Sequence, residues 1–285
     1  MAKFSIVIPV YNEESAVHDT VERIKQVIGK LTEHEFEIIA VNDGSTDKSI
    51  EILKKIQGIL VINNPYNLGY GASLKRGMHA ASGEWIIITD ADGTYPVEDI
   101  PKLLKHIPEY DMVVGARKGK DVHIPFFRRP AKWFIGALAN FMAGKKIDDV
   151  NSGLRVFNKA KAMEFVRLYP SGVSFTTTIT LAFFNSDYTV KYIPTDYFKR
   201  KGKSSIRPIK DFVGFITLIF RIILYFRPMR FFLIPAFLLI IAGAAYGIYQ
   251  ITQFPTGLGD VPVFLLIIGI QTILMGFIAD VVSKK

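Results

Sequence analysis

The 285-residue chain contains no cysteine, and its five histidines show no spacing typical of metal ligands. The absence of cysteine excludes disulfide-stabilised scaffolds, thiolate zinc sites and cysteine nucleophiles. A charged fraction of 21% with 13% aromatic residues excludes a disordered chain. The net charge of +9 indicates that the chain contacts phosphate groups and lipid headgroups. We expect no nucleic-acid partner.

Long hydrophobic runs are missing until the C-terminal part, where two stretches of nineteen residues without a charge occupy 231–249 and 261–279. About 20 apolar residues cross a bilayer, so we expect a pair of transmembrane helices; the alternative is a helical hairpin buried in a soluble core. The segment 250–260 has no Lys or Arg, whereas basic residues precede and follow the two runs. Positive residues stay on the cytoplasmic side, which predicts a hairpin with both termini and the preceding globular part of the chain in the cytoplasm.

Three domains are therefore expected along the chain. Residues 1–210 form a globular domain, 211–229 a juxtamembrane amphipathic helix at the membrane interface, and 230–285 the transmembrane hairpin. The alternative for the juxtamembrane segment is a third, re-entrant membrane element.

The first 116 residues alternate short apolar runs with amphipathic patterns. We expect strands at 4–10, 36–41, 59–62, 85–89 and 112–115, and helices near 14–28, 47–56, 71–81 and 97–107. This order predicts an α/β fold with a mostly parallel sheet covered on both faces. Ligands of such sheets bind at the carboxyl ends of the strands.

Polar residues follow three of these strands, in Tyr11-Asn12-Glu13, in the run 42–47 (NDGSTD) and in Asp90-Ala91-Asp92. Each run alone is also good turn or helix-cap chemistry. Together, however, they place several acidic groups at one edge of one sheet. Two carboxylates at i and i+2 repel each other unless a cation or hydrogen-bond donors lie between them. Such hard oxygen ligands suit Mg²⁺ or Mn²⁺ carrying a substrate diphosphate.

The motifs VIPVYNEE, VNDGSTD, NLGYGASLKRG and TDADGTYP, in this order, resemble the family 2 glycosyltransferases, which have the GT-A fold, a Rossmann-like α/β domain. The later segments NSGLRVF (151–157) and RKGKSSI (200–206) resemble the polyprenyl-phosphate glycosyltransferases, the group of dolichyl-phosphate mannose synthase and dolichyl-phosphate glucosyltransferase. The resemblance implies inverting transfer of one hexose from a nucleotide diphosphate sugar, such as UDP-glucose or GDP-mannose, to a polyprenyl or dolichyl phosphate. It also implies an Mn²⁺ or Mg²⁺ cofactor and assembly as a homo-oligomer.

The same resemblance implies roles for individual residues on the donor side. Asp90 and Asp92 match the DxD pair of metal ligands, and Thr94 stands where many relatives carry a third ligand, Gln. Asn151, Ser152 and Arg155 match a segment that closes over the donor sugar and the acceptor. Glu13 is equally explained as a first-turn helix residue. The nucleotide pocket implied by the family pattern contains Pro9, Tyr11, Glu13, Asp43, Gly69, Asp90 and Ala91.

On the acceptor side the resemblance implies a phosphate site built from basic residues. Arg117 and one Arg of the pair Arg128/Arg129 match residues that hold the acceptor phosphate, and the choice within the pair stays open. Asp90, Asp92, Arg117 and Arg129 are accordingly the candidate catalytic residues. The remaining candidates for contact with the acceptor phosphate are Lys132, Arg200 and Ser204.

Two other functions are compatible with parts of this pattern. A processive polysaccharide synthase resembles the N-terminal motifs but carries a Gln-x-x-Arg-Trp motif, and neither Trp85 nor Trp133 follows an Arg. A membrane scaffold or sugar-nucleotide sensor without catalysis would be expected to have lost its metal ligands, whereas Asp90 and Asp92 are both present.

Overall fold

The computed structural model describes residues 1–117, 147–172, 174–198, 228–253 and 259–283, together with 220, 222 and 224–226. The chain divides into two compact units, Met1–Leu218 and Ile219–Lys285. The three-domain division with boundaries at 210 and 229 stays a prediction. Most of the expected juxtamembrane helix lies outside the described residues.

The first unit contains a seven-stranded mixed sheet. Its strands are β1 (Lys3–Val10), β2 (Glu35–Asn42), β3 (Leu60–Asn63), β4 (Trp85–Ile88), β5 (Met112–Arg117), β6 (Arg155–Asn158) and β7 (Val190–Thr195). The spatial order is β3-β2-β1-β4-β6-β5-β7. All neighbouring pairs are parallel except the two that involve β6, which runs antiparallel to β4 and β5. The predicted α/β fold with a mostly parallel sheet is confirmed.

Helices connect the strands and cover the sheet. They are α1 (Val17–Ile28), α2 (Ser49–Lys55), α3 (Tyr70–Ala80), α4 (Ile100–Leu104), α5 (Lys159–Met163) and α6 (Phe175–Asn185), with a 3₁₀ turn at Val97–Asp99. The expected helix over 97–107 is thus a 3₁₀ turn followed by a short α-helix. Pro101 occupies an early position of α4, where its missing N–H costs nothing.

The core lies on both faces of the central strands. All four residues of β4 and most of β1 are buried, as expected for a strand covered on both sides. Gly77 lets α3 approach this sheet closely: a Cβ there would lie 2.2 Å from Val7 Cγ1. The close approach fixes α3, and with it the loop that precedes it, against the carboxyl-terminal half of β1.

The second unit contains two long apolar helices, α7 (Pro228–Gln253) and α8 (Asp260–Ser283). Both are long and apolar enough to cross a membrane, and only 17% of each apolar window is buried within the structure. A core helix of a soluble domain would be mostly buried, so these helices indicate membrane association. Glycines lie where α7 and α8 meet: a Cβ on Gly269 would lie 3.1 Å from the carbonyl oxygen of Ala236, and one on Gly243 would lie 3.0 Å from Leu265 Cβ. Glycine therefore permits the close packing of the pair.

Candidate active site

The topology brings the ends of the six mutually parallel strands to one edge of the sheet. Strands β1, β2, β4 and β5 all end there, and β6, which runs the other way, begins there. The residues after β1, β2 and β4, Arg117 at the end of β5, and the segment before β6 therefore share this edge. The candidate site residues within the described ranges lie on these segments or in the loop leading to α3, except for Pro9 near the end of β1 and Arg155 at the start of β6.

Hydrogen bonds between polar residues join the loop after β1 to the loop after β2. Asn12, which has a positive φ of 55°, accepts a hydrogen bond from the Thr46 backbone N–H at its Oδ1 (2.8 Å), and its own N–H donates to Ser45 Oγ (3.0 Å). The N–H of Glu14 donates to Asp47 Oδ2 (3.0 Å). These contacts explain much of the YNEE and DGSTD motifs as structural, in line with the turn-chemistry alternative.

Asp43 is buried and fixes the loop before α3. Its Oδ1 accepts hydrogen bonds from Asn64 Nδ2 (2.7 Å) and the Leu68 N–H (2.9 Å), and its Oδ2 accepts one from the Gly69 N–H (2.8 Å). Gly69 has a φ of +102°, a conformation that favours glycine. The structure thus assigns Asp43 a clear supporting role for the loop beside the predicted nucleotide pocket.

The other residues of the predicted pocket take different positions. Glu13 is buried, and its carbonyl oxygen accepts hydrogen bonds from the N–H groups of Ala16 and Val17, at the start of α1. Pro9 and Tyr11 are partly buried at the end of β1, and Ala91 is buried with its carbonyl oxygen bonded to Thr20 Oγ1.

Asp90 lies two residues after the end of β4, between α3 and the segment before β6. Its Oδ1 accepts a hydrogen bond from the Tyr70 hydroxyl (3.0 Å). On its other side, a Cβ placed on Gly153 would lie only 2.7 Å from Asp90 Oδ2. Burial, followed by the charge of Asp90, raises the pKa of Tyr70 well above its usual value, so this hydroxyl stays a donor at physiological pH.

Asp92 is buried two residues further along, and its Oδ1 accepts hydrogen bonds from the N–H (3.0 Å) and the hydroxyl (2.7 Å) of Thr94. Thr94 therefore orients the Asp92 carboxylate, independently of any role of Thr94 as a metal ligand. Among the described residues no three His, Asp or Glu side chains cluster as metal ligands. Two carboxylates completed by substrate phosphates and water are nevertheless what Mg²⁺ uses at phosphate-transfer sites, so this donor set fits a divalent cation bound with a diphosphate.

Arg117 forms a bidentate ion pair with Asp149. Its Nε and Nη2 donate to Asp149 Oδ2 and Oδ1, both at 2.8 Å, and its guanidinium carbon lies 5.4 Å from the ring centre of Tyr197. Burial alone would raise the pKa of Asp149, but hydrogen bonds and charge from Arg117 outweigh it and hold that pKa below its usual value. The pair joins the end of β5 to the segment before β6.

Hydrogen bonds with neighbouring elements hold the segment before β6 in place. Ser152 Oγ donates to the Gly115 carbonyl oxygen (2.5 Å), and Asn151 Oδ1 accepts a hydrogen bond from the Thr177 hydroxyl. Arg155 is fully buried and donates to the carbonyl oxygens of Ser152 and Thr176 and to Thr180 Oγ1. These contacts of Arg155 are internal, and they support the shape of the segment predicted to close over the donor sugar.

The other predicted acceptor residues, Arg128, Arg129, Lys132, Arg200 and Ser204, lie outside the described residues. Three residues that the sequence reasoning did not single out do contact the site, namely Tyr70, Tyr95 and Asp149. Tyr70 and Tyr95 stand inside recognised motifs, and Asp149 comes two residues before NSGLRVF. Position within a motif was the sequence signal that could have identified Tyr70 and Tyr95. The contacts of all three residues were not predictable in this way, because their partners are remote in sequence.

Residues 5–166 match Glycosyl transferase family 2, and residues 227–284 match the GtrB C-terminal hairpin. A dolichyl-phosphate hexose transferase of Haloferax volcanii is 28% identical over 207 residues, which cover 72% of this chain and 86% of the relative. An undecaprenyl-phosphate 4-deoxy-4-formamido-L-arabinose transferase of Photorhabdus laumondii is 35% identical over 162 residues, 55% of this chain and 49% of the relative. The match therefore spans only about half the length of the second relative.

Solved structures with the same fold include glucosyl-3-phosphoglycerate synthase of Mycobacterium tuberculosis. Its complex with phosphoglyceric acid has a TM-score of 0.61 at 16% identity, covering 78% of this chain and 80% of that one. Its complex with Mn²⁺, UDP and glucosyl-3-phosphoglycerate has a TM-score of 0.59 at 17% identity, with 78% and 79% covered. At this identity the likeness establishes the fold alone.

Proposed function

The chain belongs to glycosyl transferase family 2, and from this premise we propose that it transfers a single hexose from a nucleotide diphosphate sugar to a polyprenyl or dolichyl phosphate, with inversion. The proposed donor is a UDP-hexose such as UDP-glucose, with GDP-mannose as the alternative. The names of the relatives support the lipid phosphate acceptor. One observation carries the proposal: a pair of acidic residues after β4 and a basic residue at the end of β5 share one sheet edge, in a chain with two helices long and apolar enough to cross a membrane.

The chemistry asks little of a general base. A phosphate monoester is already anionic at neutral pH, so the acceptor oxygen can attack the anomeric carbon without losing a proton to the protein. The difficulty lies in bringing two anions together and in stabilising the charge on the departing diphosphate. This demand favours a site built from a metal and basic side chains.

On the donor side Asp90 and Asp92 would hold Mg²⁺ or Mn²⁺. Such a cation, when bound, neutralises negative charge on the departing diphosphate. Thr94 keeps Asp92 in one orientation through its two hydrogen bonds. Asp43 and the hydrogen-bonded loops after β1 and β2 would hold the backbone beside the nucleotide. The segment over the sugar would be shaped by Asn151, Ser152 and Arg155.

On the acceptor side Arg117 would attract the lipid phosphate. Asp149 uses two of the five guanidinium N–H groups of Arg117, and the pair fixes the direction in which the rest of the group is presented. Arg128 or Arg129, with Lys132, Arg200 and Ser204, would complete the phosphate site. We further propose that the hairpin anchors the chain in the membrane, with the globular domain and both termini in the cytoplasm and, as the family pattern implies, in a homo-oligomer.

Replacing Asp92 by Asn tests the donor half of this proposal. The change keeps the side-chain size but removes the charge that would hold the cation, so we expect transfer to fall by about 100-fold or more. Asp187→Asn is the matched control, because Asp187 is exposed with a φ of 57°, a conformation that Asn tolerates. Sugar transfer and thermal unfolding are measured for both variants. Normal turnover in a folded Asp92→Asn protein would contradict the metal assignment.

A further inference from the structure

The orientation of Asp90 depends on a tyrosine from another element. Tyr70 is the first residue of α3, and its hydroxyl donates to Asp90 Oδ1 at 3.0 Å, across twenty positions of sequence. A hydrogen bond to a carboxylate is stronger than one between neutral groups, so this contact favours one orientation of the Asp90 carboxylate. The contact therefore selects which Asp90 oxygen is turned away from α3.

The backbone places Tyr70 rigidly. The N–H groups of Gly71 and Ala72 both donate to the Ser171 carbonyl oxygen, at 2.8 and 3.1 Å. A Cβ on Gly71 would lie 2.2 Å from the Pro170 carbonyl oxygen, so the first turn of α3 is in close contact with the 170–172 loop. A side chain that starts from such a fixed backbone has little freedom to leave Asp90.

A second tyrosine confines Asp90 from the opposite side. The hydroxyl of Tyr95 accepts a hydrogen bond of 2.7 Å from the Gly153 N–H, and Gly153 is the residue whose Cα lies against the Asp90 carboxylate. Tyr95 is buried, and its ring packs edge-on against Tyr197 with centroids 5.2 Å apart. Tyr95 thus holds the backbone that forms the other wall around Asp90.

From this arrangement we infer that Tyr70 and Tyr95 are positioning residues for the donor half of the site. Tyr70 fixes the Asp90 carboxylate directly, and Tyr95 fixes it through Gly153, so that together they set how the site takes a nucleoside diphosphate with its divalent cation. The inference rests on the proposed function for the role of Asp90, and it adds two hydroxyl groups on which metal-dependent nucleotide binding depends.

The test measures binding of UDP and of GDP by titration calorimetry, in Mn²⁺ and in chelator, with the full chain in detergent. Tyr70→Phe keeps the ring and removes only the hydroxyl. Loss of one hydrogen bond to a charged group corresponds to about a tenfold weaker affinity. We expect this loss in Mn²⁺ and no change in chelator, with a smaller loss in the same sense for Tyr95→Phe.

Tyr188→Phe is the matched control, because its hydroxyl also donates to a carboxylate, Glu164, at 2.8 and 2.9 Å, but on an exposed surface. We expect wild-type affinity in this control, and an unchanged KM for the lipid phosphate in all three variants. Wild-type affinity in Mn²⁺ for Tyr70→Phe, or an equal loss with and without metal, would overturn the inference. Metal-dependent nucleotide binding without any sugar transfer would overturn only the proposed function, whereas a wild-type chain that binds neither nucleotide would overturn both.

Discussion

Asp149 carries a prediction whose size follows from its contacts. Its Oδ2 accepts hydrogen bonds from Arg117 Nε (2.8 Å) and the Arg117 N–H (3.1 Å), and its Oδ1 accepts from Arg117 Nη2 (2.8 Å) and the Asn151 N–H (3.1 Å). In Asp149→Asn one of these oxygens becomes an NH₂ group that faces two donors. The variant therefore loses hydrogen bonds and leaves the Arg117 charge without its partner.

The expected cost is that of breaking a partly buried ion pair. Removing one partner of a fully buried pair costs about 3–5 kcal/mol. The side chains of Arg117 and Asp149 are 24% and 11% exposed, so we expect roughly 2–4 kcal/mol after solvent screening. For a domain of this size each 1 kcal/mol shifts Tm by about 2–4 °C, which gives a decrease of roughly 4–16 °C.

Glu98→Gln is the control, because Glu98 makes the same bidentate contact with Arg23 at the surface, where the two side chains are 54% and 31% exposed. Surface pairs contribute about 0–1 kcal/mol, so its Tm should fall by no more than roughly 4 °C. Thermal unfolding in detergent, followed by far-UV circular dichroism, measures both variants. Equal Tm decreases for the two, or an unchanged Tm for Asp149→Asn, would refute the reasoning from burial.

Three further outcomes are expected. The pKa of Asp149 lies below its usual 3.8, so its ion pair with Arg117 stabilises the fold above that pH. This stabilisation is lost as the pH falls through the folded pKa. The Tm difference between wild type and Asp149→Asn should therefore narrow below about pH 4. Gly77→Ala places a Cβ 2.2 Å from Val7 Cγ1 and should lower the unfolding free energy by about 1–3 kcal/mol in denaturant titrations, whereas Gly172→Ala, with no atom within 4 Å, should not. A cysteine introduced at Thr256 should react with a membrane-impermeant thiol reagent only from the non-cytoplasmic side, and labelling from the cytoplasm would contradict the proposed topology.

The strand ends were predictable from the sequence because apolar runs followed by polar residues mark where a parallel strand leaves the sheet. Asp43, Asp90 and Asp92 were located in this way. The partners of these residues were not predictable, since tertiary contact brings them from remote positions. Tyr70 reaches Asp90 only because α3 is packed on the sheet through a glycine.

Arg117 shows the same limit on the acceptor side. Its charge and its place at the end of β5 point to an anion, and the family resemblance implies that this anion is the acceptor phosphate. In the structure the guanidinium already contacts a carboxylate 32 residues later, so the chain supplies one anion itself. The buried Arg155 shows the same limit. From sequence alone, a charged side chain in a closing segment suggests contact with a ligand, whereas the structure shows that Arg155 donates its hydrogen bonds to internal groups.

Sugar transfer from a panel of UDP- and GDP-hexoses to a polyprenyl phosphate, in Mn²⁺ or Mg²⁺ and in chelator, tests the central claim most directly. We expect one donor to give a lipid-linked sugar and chelator to abolish the product. Absence of product from every donor, in a protein that still binds nucleotide, would contradict it and favour a sugar-nucleotide sensor.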